Sequence, residues 1–316
     1  MTSSHTFRHR AAPAAAGLTV LLWASAFVSI RSAGEFYSPG ALALGRLAAG
    51  SLVLAALLAA TRTGLPARAA WPGIAASGVL WFGVYTVALN WGEREVDAGT
   101  AAMVVNLGPI LIALLGAAWL GEGLPRPLLW GTAVAFTGAV VVGIATAGAE
   151  DASVLGVLLC LAAAVTYALG VVCQKPALRH ACPLQVSAFG CLVGTAACLP
   201  FAGDLAAEAA RAPAAATLNM LYLGVFPTAV AFTTWGYALA RMPAGRLGAT
   251  TYLVPVLVVV LSWAFLGEAP APAAFAGGAL CLAGVAISRR RSPAPPAPAH
   301  EGPPTAPSPA PGREPR

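Results

Sequence analysis

A chain of 316 residues that is 58% hydrophobic, 9% charged and has a mean hydropathy of +0.76 cannot cover a water-facing surface, since soluble domains carry about 25% charged residues. The formal net charge of +6 is spread over the ends of apolar runs rather than gathered on one face, which argues against a nucleic-acid partner and leaves a polytopic membrane protein. Of the 18 basic residues only Lys175 is lysine, and with the Ala, Gly and Pro load this points to a GC-rich bacterial genome.

Residues 1–13 are polar and read as a tail. A membrane span needs about 20 apolar residues, and ten segments qualify in chain order: Ala14–Ser32, Gly40–Ala60, Trp71–Trp91, Ala98–Leu120, Pro127–Ala147, Val154–Val172, Leu184–Phe201, Thr217–Ala240, Gly245–Leu266 and Pro272–Ser288. Backbone polar groups in lipid must be satisfied internally, so the expectation is an all-α fold. The seventh segment is the least clear, because Pro200 and Gly203 blur its end. The Pro-rich stretch 292–316 is too low in complexity to bury a core and is expected to be disordered.

Two stretches organise this order. Ala98–Gly143 returns at Ala244–Arg289 with an offset of 146, and 13 of the 46 aligned positions are identical. The matched pairs include Pro109 with Pro255, Gly121–Glu122 with Gly267–Glu268, Gly131 with Gly277 and Gly138 with Gly284. A weaker match pairs Trp23–Arg31 with Tyr167–Lys175. The chain therefore divides into a five-helix copy over 14–147 and a second over 148–291. Five is odd, so the second copy enters the membrane from the opposite face, as in inverted-repeat transporters. Arg8, Arg10, Arg62, Arg68, Arg126, Lys175, Arg179, Arg241, Arg246 and Arg289–Arg291 fall on one side, against Arg31, Arg94 and Arg211 on the other. The positive-inside rule makes the rich side cytoplasmic, with both termini inside.

Several residues stand out against this apolar background. Arg46 lies inside the second segment, about 9 Å from its start. A charge there is a binding or gating group by default, unless it snorkels to the interface. Pro109 and Pro255 each free the carbonyl four residues back, on Val105 and Thr251. Such groups are tolerated where a cavity or another helix meets them. Asn106 and Tyr252 precede the two prolines at equivalent positions, and Asn106 either touches the pathway or bonds a neighbouring helix. Trp23, Trp81, Tyr85, Tyr167, Trp235 and Tyr237 are candidate cavity walls, whereas Trp71, Trp91 and Trp130 suit the membrane interface. Glu122 and Glu268 end the fourth and ninth segments, where a carboxylate opposes the helix dipole. Each is expected to staple its hairpin through the next helix N-terminus, at Pro127 or Pro272; proton carriage is the other reading. Gly131 and Gly138, like Gly277 and Gly284, share a face and are expected to pack the fifth and tenth segments against the fourth and ninth.

Taken together, the ten-segment duplication, the patterns Ala98-Gly-Thr-Ala-Ala…Pro109…Leu120-Gly-Glu122 and Pro255…Leu266-Gly-Glu268, Arg46 in LALGRLAAG, and the aromatic LLWASAFV resemble the EamA-like family of the drug/metabolite transporters. The resemblance implies a secondary transporter of amino acids, related metabolites or drugs, commonly outward, working in the lipid bilayer on a small-molecule substrate as a monomer or homodimer. An uptake permease of the same fold, or a channel, is the competing class. A membrane enzyme needs paired acids, a metal cluster or an activated nucleophile at one depth. The four His (His5, His9, His180, His300) lie in tails or loops, no HExxH or GxSxG occurs, and none of the six cysteines forms a CxxC. No catalytic residue, cofactor or metal is therefore expected.

Overall fold

A computed structural model describes residues 3–96, 101, 104–146, 153–266 and 272–290. Glu268 and the tail 292–316 lie outside these residues. Among them the chain is all helix. We number the segments α1 Ser3–Gly34, α2 Pro39–Ala60, α3 Arg68–Glu95, α4 Gly108–Leu120, α5 Arg126–Thr146, α6 Val154–Ala177, α7 Pro183–Ala197, α8 Ala214–Leu239, α9 Ala244–Ala249 continuing through Thr250–Tyr252 into Leu253–Leu266, and α10 Pro272–Ser288. Helix α1 begins at Ser3, so the described part of the stretch read as a polar tail, residues 3–13, is helical. Six of the helices are long and apolar enough to cross a membrane, α7 with its bent continuation makes a seventh, and α4, α5 and α10 include shorter apolar helices. Their outward faces carry Leu52, Trp130, Ile144, Val154, Leu218 and Phe275, each more than 60% exposed. So much apolar surface is a lipid-facing one.

Local chemistry sets the ends. Proline opens α2 at Pro39 and α7 at Pro183, in the first turn where its missing N–H costs no intrahelical bond. Gly121 closes α4 in the left-handed region, at φ +66°. Helix α7 ends at Ala197, and the chain turns by 55° through Leu199–Phe201 into Ala202–Ala209, which accounts for the blurred end around Pro200 and Gly203.

The two prolines of the repeat do more than kink. The chain turns at Asn106–Leu107 just before Pro109 in the first turn of α4, and narrows to a 3-10 turn over Thr250–Tyr252 before Pro255 in α9. Each interruption sits one turn ahead of the ring that crowds the preceding carbonyl. A second pair of irregularities has no sequence signature. Helix α3 widens to a π-helix over Gly78–Val84 and α8 over Gly224–Val230, at the same offset of 146.

Packing follows the same pairing. Contacts of α3 with α6 are matched by those of α8 with α1, α3 with α7 by α8 with α2, and α4 with α6 by α9 with α1. Helices α2 and α7, α4 and α9, and α5 and α10 meet their own counterparts. The glycine seam differs from expectation. A Cβ on Gly131 would lie 2.6 Å from the Gly284 carbonyl, and one on Gly138 2.6 Å from the Gly277 carbonyl. The four glycines press α5 against α10, not against α4 and α9.

Candidate functional site

Between the halves lies a cavity of about 890 Å³, within the range of small-molecule sites. Helices α1, α2, α3, α6, α8 and α9 contribute walls, with Val105 and Asn106 ahead of α4. Because α3 and α6 run antiparallel, with Gly73 against Cys173 and Gly92 against Cys160, the two ends of the molecule are distinct. Exposed Arg31, Glu35 and Arg94 line the cavity at one end. The opposite end carries Lys175 and Glu122.

The inner end of the cavity is aromatic. Trp23, Trp81, Tyr167 and Phe232 line it. Trp23 sits at the centre, with ring centroids 5.8 Å from Trp81, 6.4 Å from Tyr167 and 5.6 Å from Phe232. Its Nε1 donates to the Pro227 carbonyl at 3.2 Å, inside the widened turn of α8. That bond orients the indole among neighbouring rings that meet it in edge-to-face geometry. Trp235 lies beneath, fully buried, 4.9 Å from Trp23 between centroids, and does not reach the cavity.

Arg46 is 8% exposed and lines the cavity, so it does not snorkel to the interface. Its Nε and Nη2 both donate to Thr228 Oγ1 at 3.3 Å. Thr228 belongs to the widened turn of α8, so the irregular turn positions the side-chain hydroxyl that accepts from the guanidinium. Glu93, which the sequence did not single out, is on the same cavity and within electrostatic reach of Arg46 and Arg31. Sequence reasoning missed it because it sits in the last turn of α3. The signal was there: Tyr85, Thr86, Leu89, Asn90 and Glu93 fall on one helical face, and all line the cavity.

The residues ahead of the prolines divide. Val105, Asn106, Pro109, Thr251 and Pro255 line the cavity. Tyr252 does not: it is fully buried against Ala135, Ala139, Cys281 and Val285 in the α5–α10 seam. Tyr237 also faces away and stacks under the Arg241 guanidinium at 3.6 Å. Trp71, Trp91 and Trp130 are 36%, 45% and 69% exposed near helix ends.

Glu122 is a cross-molecule staple rather than a hairpin one. With Gly121 in the left-handed conformation the Glu122 N–H returns to the Gly116 carbonyl at 3.1 Å. The carboxylate then turns toward the other copy, pairs with Lys175 and accepts the Ala244 N–H at 2.6 Å. Lys175 also donates to the Met242 carbonyl at 2.7 Å. A carboxylate on the first N–H of α9 is favoured by the helix dipole, which reverses the unfavourable setting expected at the end of α4.

Comparison with known proteins agrees with this architecture. The model of the EamA-like transporter family matches residues 12–144 and again 154–290. A protein of Streptantibioticus cattleyicolor named a probable terminal-alkyne amino-acid exporter is 38% identical over 275 residues, covering 87% of this chain and 92% of its own. One of Salmonella typhimurium named a probable amino-acid metabolite efflux pump is 27% identical over 202 residues, covering 61% and 68%. A crystal structure superposes with a TM-score of 0.72 at 25% identity, covering 88% of this chain and 96% of that one.

Proposed function

The chain belongs to the EamA-like transporter family and is a multi-pass membrane transporter, and we propose that it exports amino acids, related small metabolites or drugs by alternating access around the cavity between its two halves. Ten spans arranged as inverted five-helix repeats, with both termini cytoplasmic in a bacterial cell membrane, fit the Arg distribution and the matched helix contacts of the two copies. On that topology the cavity mouth at Arg31, Glu35 and Arg94 faces outward, and the Glu122–Lys175–Ala244 staple holds the cytoplasmic end closed.

The cavity itself carries the reading. It is lined by both copies and closed at its inner end by packed aromatic rings. Its walls include the two proline breaks, which are the places where irregular backbone is tolerated in a membrane. Export of amino-acid-like solutes is supported by the relatives' names and by a site that mixes opposite charges with aromatic surface. Purified protein in liposomes should exchange labelled amino acid for unlabelled in counterflow, with saturation. Flux that rises linearly with concentration and carries electrical conductance would make the chain a channel instead.

A further inference from the structure

We infer that Arg46 and Glu93 form a split-charge site for a zwitterion: a substrate carboxylate docks on Arg46, its ammonium docks on Glu93 and Asn90, and an apolar side chain lies on the Trp23–Trp81–Phe232 floor. This rests on the reading of the cavity as the substrate pathway and specifies what that pathway selects.

The two charges face one cavity from different helices, yet they do not collapse onto each other. Among the described residues the ion pair within 4.0 Å is Lys175–Glu122, and Arg46 and Glu93 form none. Arg46 is held by two N–H groups on the single Thr228 hydroxyl, leaving further donors of its five for a ligand. Glu93 Oε1 is buried without a hydrogen-bond partner, as is Asn90 Oδ1 one turn earlier on α3. Asn90 is 3% exposed and fixed through Nδ2 to the Pro39 carbonyl at 3.1 Å. Tyr85 is within electrostatic reach of both Arg46 and Glu93. The site thus presents a donor fork on α2 and two orphaned acceptors on α3. Buried unpaired groups are costly, and a molecule bearing both charges relieves both. A molecule with one charge leaves the other member unpaired.

The repeat supplies an internal control. Helices α2 and α7 start at Pro39 and Pro183, so Arg46, seven residues on, corresponds to Gly190, where an added Cβ would lie 3.1 Å from the Phe82 ring. At the offset of 146, Asn90 and Glu93 correspond to Gly236 and Leu239. Every member of the constellation has an uncharged or apolar counterpart. The fold closes well around those counterparts, so the charges are not a packing requirement of this architecture.

The test is binding to the purified full-length protein of three probes of similar shape: L-leucine, 3-methylbutylamine and 4-methylpentanoate. Wild type should bind L-leucine about tenfold or more tightly than either singly charged probe. Glu93→Gln should lose about tenfold for L-leucine and for the amine while keeping its affinity for the carboxylate. Arg46→Gln should do the reverse, and Arg46→Lys, which keeps the charge, should recover part of the leucine affinity and guards against a variant that fails to fold. Equal loss of all three probes in both variants, or a wild type that binds the amine as tightly as leucine, overturns the zwitterion site but leaves the transport reading standing if any solute shows counterflow. A wild type that neither binds nor exchanges any solute overturns both.

Discussion

At the residue scale a few polar groups stand where apolar ones would pack as well. Glu122 is the clearest structural case. Removing its carboxylate orphans the Ala244 N–H and leaves the partly buried Lys175 with the Met242 carbonyl alone. Glu122→Ala is expected to cost about 1–2 kcal/mol, the usual scale for a lost helix cap. Glu122→Gln should cost less, because an amide oxygen can still accept from Ala244. Thermal unfolding of the detergent-solubilised protein checks the order, and equal midpoints for wild type and Glu122→Ala would remove the staple from the account. Arg46 was legible in the sequence as a charge inside an apolar run, and its Thr228 anchor was not. Glu93 escaped because a carboxylate near a span end looks like loop chemistry until the neighbouring helix is placed over it. Tyr252 misled for a related reason. Repeat equivalence with Asn106 fixes depth along a helix but not direction around it, and the 3-10 turn at Thr250–Tyr252 rotates Tyr252 into the α5–α10 seam.

Elements, by contrast, were read mostly from spacing. The apolar runs, the two proline breaks and the glycine pairs were all visible as recurring residue types. Spacing could not say which helix a glycine face meets, because that depends on how the two copies dock. The answer, α5 on α10, carries a sharp expectation. A side chain at Gly138 or Gly284 would meet backbone atoms at 2.5 Å or less, which nothing short of helix separation relieves. Gly138→Val and Gly284→Val should therefore each destabilise by about 1–3 kcal/mol or more, the range for overpacked cores. Gly17→Ala, where nothing lies within 4 Å, should be neutral or mildly stabilising. The yield of monodisperse protein after heating separates these outcomes, and a well-behaved Gly138→Val would contradict the seam. The π-helical turns at Gly78–Val84 and Gly224–Val230 had no signal in composition. One of them nevertheless positions Thr228 for Arg46 and the Pro227 carbonyl for Trp23. Shifting that register by deleting Ala229 should lower leucine counterflow at least tenfold while the two-copy fold persists, since an ordinary α-helical turn would rotate Thr228 away. Undiminished counterflow would show that the widened turn has no part in the site.

On the scale of the whole molecule, two copies of one helical unit enclose a cavity that each copy alone would leave as an open groove. The central claim is that this cavity is the transport pathway and opens to the outside. Thr251 and Tyr252 are neighbours in the chain, yet one lines the cavity and the other is buried behind it. Thr251→Cys and Tyr252→Cys, each on a background with the six native cysteines replaced, therefore give the most direct measurement: labelling by a membrane-impermeant maleimide in intact cells. With the cavity as an outward-open pathway, Thr251→Cys should react, transported amino acid should slow its reaction, and Tyr252→Cys should stay unlabelled. Labelling of Tyr252→Cys in preference to Thr251→Cys, or reaction of Thr251→Cys only after the membrane is permeabilised, would contradict that claim.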